Sequence, residues 1–120
     1  MAPTILTVTL NSAIDQVLLV DAFNPGSEAT IQKTITCVGG KGLDSSVALR
    51  GLGVETYAIA LLAGEHGRTL EQIAAGYGIS IRPVWVEGET RVCYVVAEKT
   101  AKRVSHLKAG LLRVTENHLN

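Results

Sequence analysis

Cysteine, aromatic residues and a charge excess of either sign are all scarce in this sequence. Its 120 residues include 2 Cys, 1 Trp, 1 Phe and 3 Tyr, and 11 Lys and Arg balance 11 Asp and Glu. Cys37 and Cys93 are too far apart for a CxxC redox or zinc pair, and two cysteines do not make a disulfide framework. Balanced charge argues against nucleic acid as a partner, because nucleic-acid binding requires a basic surface. The core must be aliphatic.

Targeting and membrane-spanning segments are not indicated either. The first residues, MAPTIL, lack the basic n-region of a signal peptide and lead at once into a strand-like run. No apolar stretch approaches the roughly 20 residues that a membrane-spanning helix needs. A hydrophobic content of 47% excludes a disordered chain. These features predict one cytoplasmic domain at most, with no membrane partner.

Strands and helices are predicted to alternate along the chain. Helices are expected at residues 43–52 and 68–77, because Gly53 and Gly78 follow as C-terminal stops. Runs rich in β-branched residues, or alternating between apolar and polar residues, indicate strands. These runs cover residues 4–10, 17–20, 29–38, 54–62, 79–86 and 91–97. The order predicts an α/β fold.

The last seven residues, VTENHLN, have the pattern of a helix start. Thr115 fits an N-cap and is followed by a first helical turn. A helix of one turn is not stable alone. We therefore expect these 120 residues to be the N-terminal part of a longer protein.

A glycine-rich loop, GGKG at residues 39–42, lies between a predicted strand and a predicted helix. Glycines let the backbone approach a ligand closely, and the free N–H groups at a helix start attract an anion or polar hydroxyls. Lys41 adds a positive charge. The loop is neither GxGxxG nor a Walker A motif, because Gly42 stands where Ser or Thr must follow the lysine. By itself the pattern fits either a ligand loop or a flexible turn with a solvated lysine.

Five segments of the chain share motifs with one enzyme family. Residues 7–15, TVTLNSAID, are similar to a TLNPAID opening, and residues 39–53, GGKGLDSSVALRGLG, match a signature commonly written GGKGxNVAxxLxxLG. The shorter segments are LAGEHG at 62–67, GETR at 88–91 and VTE at 114–116. In these motifs the chain resembles the PfkB sugar kinases of the ribokinase-like superfamily. The likeness covers essentially the whole chain and fits best the branch of 1-phosphofructokinase and tagatose-6-phosphate kinase.

The resemblance implies substrate-binding roles for several residues. Asp15 matches an aspartate that accepts hydrogen bonds from sugar hydroxyls, as a carboxylate can. Gly39 and Gly40 match backbone that packs against the sugar, and Lys41 matches a lysine that lines the site. Arg91 matches an arginine that holds the phosphate of a phosphosugar in a planar, charged fork.

Four residues depart from the family pattern. Ser12 replaces a proline, and Ser45 and Ser46 replace small apolar residues. Asp44 replaces the asparagine of the signature, so a negative charge stands in the implied substrate site. That charge repels a substrate phosphate unless a cation such as Lys41 pairs with it.

Other interpretations of these residues stay open. Asp15 fits an Asx turn after the first strand. Arg91 also fits a solvated strand arginine paired with Glu87 or Glu89. No metal site is predicted, because the three histidines show no ligand spacing.

The second family signature, a GAGD-type loop with the catalytic aspartate, is missing from these 120 residues. In the family that aspartate deprotonates the accepting hydroxyl beside an anion hole. The resemblance implies a sugar kinase that transfers the γ-phosphate of ATP, with Mg²⁺, to a ketohexose phosphate such as fructose 1-phosphate or tagatose 6-phosphate. It implies no catalytic residue here, so the chain alone is expected to bind phosphosugar without phosphorylating it.

The fold implied for residues 1–120 is the N-terminal, substrate-side half of a ribokinase-like three-layer α/β sandwich with a small β-sheet lid, without the ATP-binding half. The lid is expected to use strands within residues 17–37 and 79–97. Such a sheet cannot bury its apolar face on itself, so we expect two lids to pack together in a homodimer. The apolar residues expected there are Ile31, Ile35 and Cys37 on one strand and Val92, Tyr94 and Val96 on another.

Two other functions fit parts of the pattern. The chain can be a non-catalytic sugar- or phosphate-binding or scaffold module that kept the fold. A nucleotide-binding regulator is disfavoured, because phosphate-loop signatures are missing.

Overall fold

The computed structural model describes residues 4–110 and 112–119, which form two β-sheets and three helices. The elements in chain order are β1 (Ile5–Thr9), β2 (Ala13–Val20), β3 (Lys33–Gly39), α1 (Lys41–Gly51), β4 (Thr56–Leu62), α2 (Gly64–Gly76), β5 (Ile81–Trp85), β6 (Arg91–Glu98), β7 (Arg103–Leu107) and α3 (Glu116–Leu119). The strand order is β1-β4-β5 in one sheet and β3-β2-β6-β7 in the other. The α/β class predicted from the sequence is confirmed.

The three-stranded sheet is parallel and carries the hydrophobic core on one face. β4 pairs with both β1 and β5, and α2 makes the crossover between β4 and β5 that parallel neighbours require. The core joins strand to helix through aliphatic side chains that are fully buried. They include Ala58, Ala60 and Leu62 of β4, Leu43 of α1 and Leu70 of α2. The scarcity of aromatic residues had indicated such a core.

The opposite face of this sheet is not covered by the described residues. Leu6 and Tyr57, which are neighbours across β1 and β4, are 57% and 61% exposed. Val8, two residues along β1, is 51% exposed. Parallel sheets are normally covered on both faces. The described part of the chain therefore supplies one helical layer of the expected sandwich.

The four-stranded sheet, called the lid sheet below, differs in membership from the prediction. Its central strand β2 is antiparallel to β3 and parallel to β6, and β7 is antiparallel to β6. The assignment of residues 79–86 to the lid is wrong, because β5 pairs with β4 in the other sheet. Ile79 and Ile81 are buried in the core beside that sheet, which explains why β5 pairs with β4 and does not join the lid sheet. The fourth strand of the lid sheet is β7, which the sequence did not reveal.

Element boundaries differ from the predictions by up to four residues. α1 begins at Lys41 and α2 at Gly64, earlier than expected, while β2 extends back to Ala13. α3 begins directly after Thr115, as the N-cap pattern predicted, and Asn120 lies outside the described residues. Among the described helices, none has the length and apolar character needed to cross a membrane.

A buried carboxylate fixes the far end of the lid sheet. Glu98 is 5% exposed, forms an ion pair with Arg103 and accepts a hydrogen bond from the Phe23 backbone N–H at 2.9 Å. The hydrogen bonds from Arg103 and Phe23 hold the pKa of Glu98 below its usual value. The β6–β7 hairpin is thereby tied to the segment that follows β2.

Candidate functional site

A cavity of about 460 Å³ lies between the carboxyl end of β1, the start of α1 and the lid sheet. In open α/β sheets, ligands bind beyond the carboxyl ends of the strands. The cavity brings together five of the six residues that the sequence singled out for substrate binding, namely Asp15, Gly40, Lys41, Asp44 and Arg91. The sixth, Gly39, lies directly against the carboxylate of Asp15.

The glycine-rich loop forms the junction between β3 and α1. Gly40 is the N-cap and has a φ of +104°, a conformation that residues with a side chain rarely adopt. A Cβ atom on Gly39 would lie 2.6 Å from Cγ of Asp15, so only glycine lets the carboxylate sit there. The first helical hydrogen bond runs from the N–H of Asp44 to the carbonyl of Gly40. The N–H groups that precede it have no partner within the helix, so they are oriented to meet a polar ligand.

Asp15 enters the cavity from the lid sheet. It lies within β2, where Cys37 of β3 and Cys93 of β6 are its register partners, so the Asx-turn interpretation is wrong. Partial burial raises the pKa of Asp15, and the positive charges of Arg91, His106 and Lys108 act against that rise. A partly desolvated carboxylate gains from hydroxyl donors that replace lost water.

Arg91 is the first residue of β6, lines the cavity and contacts the loop after β1. Its Nη2 donates to the backbone carbonyl of Asn11 at 2.9 Å. In the part of the chain that the structure describes, Glu89 pairs with His66 instead, so the ion pair of Arg91 with Glu87 or Glu89 is not formed. Its guanidinium therefore keeps donors for a ligand.

Three buried side-chain atoms lack a hydrogen-bond partner within the described residues, and all belong to residues that line this cavity. They are Thr9 Oγ1, Asn11 Oδ1 and Arg91 Nε. Thr9 is 4% exposed, so its hydroxyl cannot rely on bulk water. Buried polar groups without partners are rare and costly. Unpartnered polar groups are therefore concentrated in residues around this cavity.

Among the lining residues that were not singled out for the site from the sequence, four have side chains suited to binding a polar ligand: Thr9, Asn11, His106 and Lys108. Thr9 and Asn11 lie inside the segment that resembles TLNPAID, so that motif was the available signal. His106 and Lys108 come from β7 and the residue after it. Since β7 was not predicted, nothing placed these two beside the site.

Asp44 lies in the first turn of α1. Partial burial and the carboxylate of Asp15 raise its pKa. Within the described residues it forms no ion pair with Lys41 or Arg91. The thiol pKa of neighbouring Cys37 is raised by burial, by Asp15 and by Asp44, which makes this thiol less reactive.

The three serines that depart from the family pattern all form hydrogen bonds. Ser45 is exposed and donates to the carbonyl of Lys41 at 2.9 Å, within α1. Ser12 is fully buried and donates to the carbonyl of Leu61 at 2.5 Å, which ties the loop after β1 to β4. Ser46 is also fully buried, and its hydroxyl lies 2.6 Å from that of Thr7. Ser12 and Ser46 thereby link the loop after β1 and helix α1 to the parallel sheet.

The charges of the cavity fall into two groups. Asp15 and Asp44 are acceptors, and Lys41, Arg91 and Lys108 are cations. Carboxylates accept from hydroxyls, and cationic side chains bind phosphate or carboxylate. The arrangement suits a small polyhydroxylated ligand with an anionic group.

Comparison with known proteins gives relatives of one kind. No protein-family model matches the chain. It is 27% identical over 114 residues to a 1-phosphofructokinase of Xanthomonas campestris pv. campestris, covering 95% of this chain and 36% of that protein. It is 31% identical over 86 residues to a D-tagatose-1-phosphate kinase of Klebsiella oxytoca, covering 72% of this chain and 28% of that protein. The chain thus spans about a third of the length of these curated relatives.

Solved structures show the same fold. A protein described as a possible 1-phosphofructokinase from Thermotoga maritima superposes with a TM-score of 0.89 at 30% identity, over 98% of this chain and 38% of that one. Phosphofructokinase-2 of Escherichia coli, crystallised with fructose-6-phosphate, gives 0.89 at 20% identity over 98% of this chain and 39% of that one, which shows the fold alone. The expected ribokinase-like architecture with its additional small sheet is confirmed. The chain is a homologue of the PfkB-type, ribokinase-like carbohydrate kinases and corresponds to the N-terminal part of their fold.

Proposed function

We propose that this chain supplies the phosphosugar-binding part of an ATP-dependent kinase that acts on a phosphorylated ketohexose such as fructose 1-phosphate. The observation that carries the proposal is the shared cavity, in which Asp15, Lys41 and Arg91 meet from three separate segments. The names of the two relatives support a ketohexose phosphate as the ligand class.

Each residue has a role that follows from its position. Asp15 accepts hydrogen bonds from the sugar hydroxyls, and the backbone of Gly39 and Gly40 lets the sugar approach the start of α1. Arg91 binds the phosphate through donors not used by Asn11. Lys41, at the first position of α1, adds a second positive charge where the helix N-terminus already favours an anion.

ATP and Mg²⁺ are assigned to the proposed kinase, not to residues of this chain. The described residues contain no group of three or more His, Cys, Asp or Glu side chains able to hold a metal ion. A GxGD motif is missing from the 120 residues. We therefore assign substrate contacts to this chain and derive no step of phosphoryl transfer from it.

The proposal is tested by calorimetric titration of the 120-residue chain with fructose 1-phosphate, fructose and inorganic phosphate. We expect fructose 1-phosphate to bind more tightly than either of the others, because it alone engages Asp15 and Arg91 together. In a coupled ADP-release assay with ATP and Mg²⁺, the same chain should show no turnover above background. Equal binding of phosphosugar and fructose, or measurable turnover, would contradict the proposal.

We also propose that the chain forms a homodimer through the lid sheet. Val17, Ile35 and Val95 are register neighbours and therefore share one face of β2, β3 and β6. Ile35 is 40% exposed, and this apolar face continues from the site residue Asp15, which lies two positions before Val17. The residues expected to join Ile35 (Val92, Tyr94 and Val96) occupy the opposite face, so that part of the prediction is wrong.

Replacing Ile35 with lysine should dissociate this dimer, because it places a charge in an apolar contact. Light scattering at micromolar concentration measures the mass. The control is Thr34→Lys, which adds the same charge on the opposite face of β3 at an exposed position. A wild-type mass equal to the 12.7 kDa monomer, or an Ile35→Lys variant that remains dimeric, would refute the lid contact.

A further inference from the structure

Thr90, the residue before Arg91, is fully buried and makes a two-way contact with the start of α2. Its hydroxyl accepts a hydrogen bond from the N–H of Ala63 at 2.9 Å, and its own N–H donates to the carbonyl of Ala63 at 2.9 Å. Ala63 is the N-cap residue of α2. Two hydrogen bonds, one in each direction, therefore join the residue before Arg91 to the N-cap of α2.

Glu89 makes a second contact with the same helix end. Its carboxylate accepts the N–H of His66 at 2.5 Å and takes the place of the side-chain cap that Ala63 lacks. Gly64 allows this approach, because its φ is +63° and a Cβ atom there would collide with the carboxylate. Nδ1 of His66 also lies 3.1 Å from the carbonyl of Thr90. His66 therefore contacts both Glu89 and Thr90.

Neither Glu89 nor Thr90 lines the cavity, while Arg91 does. Between the end of β5 and the start of β6 the chain passes from one sheet to the other, and Arg91 opens β6. The contacts with α2 therefore set where β6 begins relative to the core. Arg91 depends on this setting, because its Nη2 must reach Asn11 at the carboxyl end of β1.

We propose that Thr90 and Glu89 are positioning residues for Arg91, and that through it they set the preference of the site for a phosphorylated over an unphosphorylated sugar. This inference rests on the proposed function of the cavity. Contacts to phosphate depend on geometry, and a small displacement of the guanidinium lengthens its hydrogen bonds to the phosphate oxygens. A neutral sugar held by Asp15 does not use Arg91 and is not affected.

The main variant is Thr90→Val, which keeps the shape of the side chain and removes the acceptor for the Ala63 N–H. We expect its Kd for fructose 1-phosphate to rise by about tenfold or more, and its Kd for fructose to change by less than about twofold. Thr90→Ser retains the hydroxyl and should restore the wild-type preference. In an Arg91→Ala background, Thr90→Val should have no further effect on phosphosugar binding.

Two further comparisons separate positioning from general destabilisation. Val20→Ala truncates a buried side chain at the end of β2, outside the cavity lining, so it destabilises the fold and should leave the preference unchanged. Glu89 is exposed and its carboxylate accepts the His66 N–H. Glu89→Ala should therefore lower the preference as Thr90→Val does, whereas Glu89→Gln keeps an acceptor oxygen and should not.

The outcomes distinguish the two proposals. A wild-type chain that binds fructose 1-phosphate no better than fructose contradicts the proposed function and this inference with it. A wild-type preference that survives both Thr90→Val and Glu89→Ala overturns the inference alone. The same holds if Val20→Ala lowers the preference equally, if Thr90→Ser fails to restore it, or if Thr90→Val still acts in the Arg91→Ala background.

Discussion

Replacing Arg91 with alanine should weaken binding of fructose 1-phosphate by about ten- to a hundredfold and leave binding of fructose nearly unchanged. The reason is that a hydrogen bond to a charged group contributes about 1.5–3 kcal/mol. Arg91 lines the cavity and forms no ion pair among the described residues, so its guanidinium charge is available to a ligand phosphate. Titration calorimetry with both ligands measures the two dissociation constants.

Two matched variants control this result. Arg91→Lys keeps the charge and loses the planar fork, so it should fall between the wild type and Arg91→Ala. Arg68→Ala removes the same side chain from an exposed position on α2 and should change neither constant. If Arg91→Ala changed the two constants by equal factors, or changed neither, the phosphate role of Arg91 would be wrong.

The secondary structure was largely predictable because its signals are local. A β-branched run predicted β1, and a strand followed by glycines predicted the junction at Gly40. Which sheet a strand joins is not a local property. The run that became β5 alternates like a lid strand, and its place beside β4 is decided by burial of Ile79 and Ile81 in the core. β7, with only Leu107 and Val104 as large apolar residues, carried too weak a pattern to be recognised.

The candidate site was predictable where a motif marks it. Asp15, Lys41 and Arg91 stand in segments with a recognisable pattern, and the structure brings them to one cavity. The hydrogen-bond partners of Thr90 could not be predicted from a motif. Its contact with Ala63 joins residues 27 positions apart, and only the fold shows that they meet. His106 was missed because its strand, β7, was not recognised, so nothing in the sequence placed it beside β6.

Replacing Asp44 with asparagine should strengthen binding of fructose 1-phosphate at neutral pH by roughly fivefold, or about 1 kcal/mol, which is the size expected for removing a partly screened like charge near the phosphate. The wild type should show a further sign of this repulsion. Its Kd for fructose 1-phosphate should rise as the pH is raised through the elevated pKa of Asp44, and Asp44→Asn should remove that part of the dependence. Titrations across the acid range with phosphosugar and fructose measure both effects.

The same substitution should also stabilise the folded chain. Burial and Asp15 raise the pKa of Asp44 above the ordinary value of 3.8, so the folded state holds this proton more tightly than the unfolded state does. The free energy of unfolding of the wild type therefore falls as the pH rises from about 3.8 through the folded pKa, and Asp44→Asn escapes this loss. Urea denaturation at several pH values measures the difference.

Asp21→Asn is the matched control, because Asp21 is exposed directly after β2 and, within the described residues, only its backbone carbonyl forms hydrogen bonds. It should alter neither phosphosugar binding nor the pH dependence. If Asp44→Asn bound fructose 1-phosphate more weakly than the wild type, Asp44 would be a direct acceptor for the ligand, and its negative charge would not oppose phosphate. If Asp44 repels the phosphate, Asp44→Asn should increase the affinity for fructose 1-phosphate alone. An equal increase in affinity for fructose would point to a rearranged α1 instead.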